Sequence, residues 1–220
     1  MATVATPYGL KPINLIGGQA FNGGVIREYK VAANNSAAIF NGDLVALSTA
    51  GLPSAVSATP VAIKVPATSA DATAGIMGVC VGARYVDSSG QPTWNNYLPA
   101  NVITGGGSDV FVLVMDDPDA LFQIKGSAAL GTFNSGTSGS GWPGAIGKNA
   151  QLGFGTAGLT STGVSGMNLL VGTNGAGLVT TATYAVRIVD VVRGTESEAY
   201  PEFIVKLNVG VHSYYNSLGV

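Results

Sequence analysis

Charge is what this chain has least of. Lys, Arg, Asp and Glu together supply 10% of its 220 residues, where an average soluble domain carries about a quarter. Between Asp119 and Asp190 there is no acidic residue, and Lys125, Lys148 and Arg187 are the only charges in that stretch. Surface charge keeps a diffusing monomer soluble and apart from its neighbours. A chain this poor in it either hides surface against partners or coats it with Gly, Ser, Thr and Asn. Both options suit a component of a large assembly better than a free enzyme.

Other shortages exclude particular chemistries. Basic clusters are missing: Arg27 with Lys30 is the nearest approach to one, and the formal net charge is -2. Phosphate backbones need several cations on one face, so a nucleic-acid partner is not expected. With one cysteine, Cys80, no internal disulfide can form, and its apolar setting GIMGVCVGA reads as a small buried hydrophobe rather than a nucleophile. With one histidine, His212, a multi-histidine metal site or relay cannot be built. No GxSxG elbow accompanies it to suggest a serine hydrolase. The longest strongly apolar stretch, Val110 to Met115, falls far short of the ~20 residues of a membrane span. MATVATPYGLKP lacks the basic start and apolar run of a secretory signal. The expectation is a soluble protein made in a cytoplasm-like environment, with no membrane partner and no cofactor.

Some motif-like segments remain. Gly153 to Gly158 matches GxGxxG, but a poor helix start follows and no acidic residue occurs until Asp190, so the dinucleotide context is missing. Asp116, Asp117 and Asp119 surround Pro118. Three carboxylates suggest calcium, yet Asp and Pro are also the residues of a tight turn, which is the preferred reading. Glu196, Glu198 and Glu202 read as a solvated loop before a strand.

What the chain has in plenty is glycine, 32 residues, and short β-branched runs between turn signals. Strands are expected in IREYKVAA, in AAIFNGDLVALS with a tight hairpin at Asn41-Gly42, in AIKVPAT and in GIMGVCVGARYV. DVFVLVMDDPDALFQIKG reads as strand, Asp-Pro turn, strand. Residues 88–101 read as a long connection carrying Trp94 and Tyr97, and GTFNSGTSGSGWPGAIG as a loop carrying Trp142. Shorter strands are expected at AQLGF and MNLLVG. The clearest signals come last. Tyr184, Val186, Ile188 and Asp190 alternate with Ala185, Arg187, Val189 and Val191. Phe203, Val205, Leu207, Val209 and Val211 form one apolar row, a period of two that marks a strand with one buried face. No window shows a helical stripe. The fold class is therefore all-β, a sandwich or barrel of short strands with an extended N-terminal arm over residues 1–24. The body spans 25–220, with a division into 25–125 and 126–220 in view.

The arm carries Pro7, Pro12, Gly17-Gly18 and Gly23-Gly24, against helix, yet also Tyr8, Leu10, Ile13, Leu15, Ile16 and Phe21. Apolar residues on such a segment need a surface to dock on, either the chain's own domain or a neighbour's. Tyr8, Leu10, Ile13, Leu15 and Phe21 are candidate interaction residues, with Trp94, Tyr97, Trp142, Tyr214 and Tyr215. The three loop aromatics could alternatively stack on sugars, as in a carbohydrate-binding β-sandwich.

Several segments resemble small structural proteins of tailed double-stranded DNA bacteriophages. They are TPYGLKPINLIGGQAFNGGVIREYKVAANNSAAIFNGDLV at the start, VMDDPDALFQIKG near the middle and YPEFIVKLNVGVHSY at the end. GDLVALSTAGLPSAV and GIMGVCVGARY have the strand, Gly turn, strand texture of capsid decoration, or cement, proteins. Together these cover roughly half the chain. The resemblance implies a virion protein assembled in the bacterial host cytoplasm and bound outside an icosahedral capsid, at junctions between copies of the major capsid protein. It implies self-association, frequently as trimers, and a stiffened shell. It carries over no catalytic residue. The competing expectation is a head fibre or a receptor-binding or carbohydrate-binding virion protein.

Overall fold

In the computed structural model, the described residues are 6–16, 26–31, 35–48, 61–64, 76–131, 141–154, 156–208, 212 and 214–215. In chain order the strands are β1 (Lys11–Leu15), β2 (Ile26–Val31), β3 (Leu44–Ser48), β4 (Val61–Lys64), β5 (Ile76–Val86), β6 (Pro92–Asn95), β7 (Ser108–Met115), β8 (Ala120–Lys125), β9 (Asn149–Gly153), β10 (Asn168–Leu170), β11 (Val186–Val191) and β12 (Glu202–Leu207). A single helical turn, α1 (Gly141–Ala145), and a 3-10 turn at Thr173–Gly175 complete the described elements. The fold is all-β.

The strands form two six-stranded sheets, and each closes on itself. In the first the order is β3-β4-β2-β7-β5-β6, with β3 also pairing with β5. That extra pairing joins β3, β4, β2, β7 and β5 into a ring and leaves β6 as an appended edge. All its pairs are antiparallel except β2 with β4. The 11 residues of β5 let it serve β3 with one half and β6 with the other. Tyr29 and Val31 of β2 and Val110, Val112 and Val114 of β7 alternate into one core with Ile39 and Leu98, and Met77, Cys80 and Ala83 of β5, three apart, join it across register shifts in that strand.

The second sheet runs β1-β8-β12-β11-β9-β10, all antiparallel. It closes where Gly126, just past β8, bridges Leu169 of β10, with Ser127 N–H donating to the Leu169 carbonyl at 2.8 Å. β1 is left as its appended edge. Phe122, Ile124, Leu152, Leu169, Val186, Ile188, Phe203, Val205 and Leu207 fill this barrel, and Leu10, Leu44, Ile76, Val79 and Met115 from outside it join the same core. The barrels therefore pack on one another through apolar surface. Each fully buried large side chain contributes roughly 1.5–3 kcal/mol.

Two glycines mark where backbones must approach. A Cβ on Gly126 would lie 2.8 Å from the Phe203 ring and 2.9 Å from Val171, closing off the seam of the second barrel. A Cβ on Gly78 would collide with the Met115 carbonyl of the adjoining strand.

The structure corrects several expectations. Asn41-Gly42 is a turn, with Asp43 N–H donating to the Phe40 carbonyl at 3.0 Å, but it closes no hairpin. Ile39 bridges to Leu98 instead, while β3 pairs with β4 and β5. The connection 88–101 holds β6, with Pro92 at its first position, where a strand tolerates proline. The glycine-rich loop around Trp142 holds the helical turn α1. The strict alternation in β11 breaks at a bulge between Ile188 and Asp190, which shifts register so that Val191, not Asp190, follows Ile188 into the core. Of the two docking surfaces open to the N-terminal arm, Lys11–Leu15 takes the chain's own, as an edge strand of the second barrel. The passage from the first sheet to the second lies in the turn between β7 and β8, and β1 belongs to the second sheet.

Candidate interaction surface

Barrel closure leaves two strand edges without a partner among the described residues, β6 on the first barrel and β1 on the second. An unpaired edge offers open N–H and C=O groups to another chain. The surroundings of β6 are built from a row across the sheet. Trp94 stands opposite Arg84, and Arg84 opposite Phe111. The Arg84 guanidinium lies 4.1 Å from the centre of the Phe111 ring. Its Nε and Nη2 donate to the two carboxylate oxygens of Glu28 at 2.8 and 2.6 Å. That paired geometry holds the Glu28 carboxyl below the usual range and raises Arg84. The fork is thus held between Phe111 and Glu28, and Trp94 beside it is 68% exposed. Trp94, Thr93, Tyr85, Arg84 and Glu28 border a hollow of about 260 Å³. Trp, Tyr and Arg are the residues that dominate binding energy where proteins meet.

β1 borders a larger groove of about 740 Å³ between the two barrels. Tyr8, Lys11 and Pro12 form one wall with Gln123 and Glu202, while Ile26, Val81 and Leu113 of the first barrel form the other. Gln123 Nε2 donates to Glu202 at 2.5 Å. Burial beside Glu202 raises the Tyr8 phenol well above its ordinary value, so it stays a neutral hydroxyl.

A third region lies where the chain passes from one barrel to the other. The turn rests on Asp117, whose carboxylate accepts the Asp119 N–H at 2.7 Å, as turn chemistry requires. Asp116 is 2% exposed and accepts hydrogen bonds from the Tyr29 hydroxyl at 2.6 Å and the Tyr214 hydroxyl at 2.7 Å, with Arg27 Nε at 3.3 Å. Asp119 pairs with Lys206 Nζ at 2.6 Å and accepts from the Tyr215 hydroxyl at 3.4 Å. Each carboxylate is therefore occupied by donors. Among the described residues no three His, Cys, Asp or Glu side chains are grouped to hold a metal ion, and no helix is long and apolar enough to cross a membrane.

The aromatic residues singled out in the sequence scatter over these regions. Trp94 is on the β6 edge, Tyr8 in the groove, and Tyr214 and Tyr215 over the Asp116–Asp119 turn. Trp142 is 40% exposed on α1 and borders a separate hollow with Leu130, Glu196 and Glu198. Tyr97 is stacked flat on Phe40, 5.2 Å between centres, which occupies one of its faces. Leu10 is fully buried in the chain's own core. Ile13 and Leu15 are partly buried on β1, and Phe21 lies outside the described residues. Sequence reasoning named Asp116 only as part of a turn and missed Arg84 and Glu28. The signal for Arg84 was a lone charge within the otherwise apolar β5, whereas Glu28 sits among Arg27 and Lys30 and carried no such mark.

Comparison of the chain with protein-family models, curated proteins and solved structures returns no significant match.

Proposed function

We propose that the chain is a decoration protein of a tailed double-stranded DNA phage head. It binds the outer capsid surface at junctions between major capsid subunits, associates with copies of itself, and stiffens the shell. The observation that carries the reading is the β6 edge: an open strand bearing a two-thirds-exposed indole beside a bidentate Arg84–Glu28 pair that sits over Phe111. Such a surface suits burial against another protein's backbone and apolar side chains. The open β1 edge along the inter-barrel groove gives a second such place, and the phage-like segments at the start, middle and end of the chain point the same way. Binding of this kind relies on apolar burial and backbone hydrogen bonds rather than exposed ion pairs, which are weak and screened by salt. The test is to add purified protein to expanded heads and count bound copies. Saturable binding in the hundreds per head supports the reading, and binding only at the tail vertex or none at all refutes it.

A second reading is favoured by Trp94 itself. An indole over a small hollow with Arg84 and Glu28 at its rim also matches a platform for a sugar ring. Quenching of Trp94 fluorescence by oligosaccharides, abolished in Trp94→Ala, would favour it over the capsid.

A further inference from the structure

The last described residues cross back from the second barrel to the first. His212 N–H donates to the Asn208 carbonyl, 3.2 Å, just beyond β12, and His212 bridges in parallel to Ile76 at the start of β5. Its imidazole is fully buried. Nδ1 accepts the Tyr214 N–H at 3.2 Å, which assigns the ring proton to Nε2; among the described residues Nε2 has no well-aligned hydrogen-bond partner, with the Asp116 and Met77 backbones beside the ring. The rings of Tyr214 and Tyr215 tilt over the imidazole at 5.1 and 6.3 Å. Their hydroxyls reach Asp116 and Asp119, at the two ends of the turn that joins the barrels.

We propose that His212, Tyr214 and Tyr215 form an acid-released clasp across the seam between the two barrels. The imidazole is the floor of the clasp and the two phenols are its grip. The groups that face His212 are Asp116 and Asp117 from the turn, Tyr214 and Tyr215 from its own segment, and the backbones of Ile76 and Met77 from β5. Behind Asp116 stand Tyr29 and Arg27 of β2, and Lys206 of β12 lies 5.9 Å from the Tyr215 ring centre. Burial lowers the proton affinity of the imidazole below its ordinary value, outweighing the pull of Asp116 and Asp117. Protonation must then place a charge in a site closed to water or expel the ring.

The sign follows from proton linkage. The open segment holds a proton more tightly than the closed one, so opening is favoured as pH falls below the free-histidine value of about 6.5. The opening constant rises by up to about tenfold per pH unit until the closed form also titrates. What remains of the clasp is the Tyr214 hydroxyl, which meets Asp116, Arg27 Nη1 at 3.0 Å and the Tyr29 hydroxyl at 3.2 Å, and the longer Tyr215–Asp119 contact.

Hydrogen exchange on the full chain tests this. Protection factors for the Tyr214 and Tyr215 amides, corrected for the intrinsic effect of pH, are compared at pH 7.5, 6.5 and 5.5, with Val205 of β12 as the reference. The expected result is a several-fold or greater loss of protection at Tyr214 and Tyr215 from 6.5 to 5.5 while Val205 is unchanged. His212→Phe, which fills the site and cannot titrate, should show no such loss. Constant protection at Tyr214 and Tyr215 in the wild type, or an equal loss in His212→Phe, would overturn the clasp. Should the variant fail to fold, the wild-type comparison against Val205 decides alone.

Discussion

Asp116 shows at the scale of one residue how a chain with little charge uses what it has. A buried carboxylate is costly unless its oxygens are occupied, and here Tyr29, Tyr214 and Arg27 occupy them. Tyr29→Phe removes the donor on the core side and should cost about 1–3 kcal/mol, the penalty for a buried acceptor left short, read from the midpoint of urea unfolding. Tyr29 also gives a sign for alkaline pH. Burial and the bond to Asp116 raise its phenol, so its contribution is complete below about pH 10 and is lost as pH rises through the folded-state value. The same substitution should therefore flatten the alkaline limb of the stability curve. Cys80 is fully buried, and burial pushes its thiol up to about 12. Its alkylation at neutral pH should proceed only through unfolding. A rate in native buffer equal to that of a free thiol would contradict the closed first barrel.

The edge strands carry the predictions at the scale of elements. Because β1 pairs with β8 and the fully buried Leu10 precedes it, deleting residues 6–15 should destabilise the second barrel, not simply detach a partner. A better probe leaves the strand in place. Trp94→Asp on β6 and Ile16→Asp just past β1 fall on side chains 68% and 51% exposed. Each should change stability by less than about 0.5 kcal/mol while reducing head occupancy at least tenfold. Full occupancy with both substitutions would remove the edges from the account. Individual strands were legible because their cues are local: β12 keeps Phe203, Val205 and Leu207 inside as its alternation requires. β6 was hidden because Pro92 and Asn95 are also loop residues, and only its pairing with β5 makes them a strand. Barrel closure was equally hidden. It rests on the pairing of β3 with β5 and the bridge of Gly126 to Leu169, contacts between distant segments that no window of sequence contains. Of the candidate site residues, exposure separated Trp94 from Leu10, two apolar residues that the chain's pattern alone could not rank.

At the scale of the whole molecule, two barrels share apolar surface and are tied at the turn between β7 and β8, at the bridge of Asn41 to Val164 and at the bridge of His212 to Ile76, and each keeps an open edge. In the proposed role, a brace across capsid junctions would stabilise the shell by mass action, as any ligand of the closed assembly does. Salt should matter little, because exposed pairs such as Arg84 with Glu28 orient the surface more than they hold it. The most direct test compares the temperature at which stripped heads and heads saturated with the purified protein release DNA, at low and at molar salt. The account predicts a higher release temperature for saturated heads at both salt concentrations, with the protein retained until the shell fails. Release at the same temperature, or loss of the protein at moderate salt from an intact head, would contradict it.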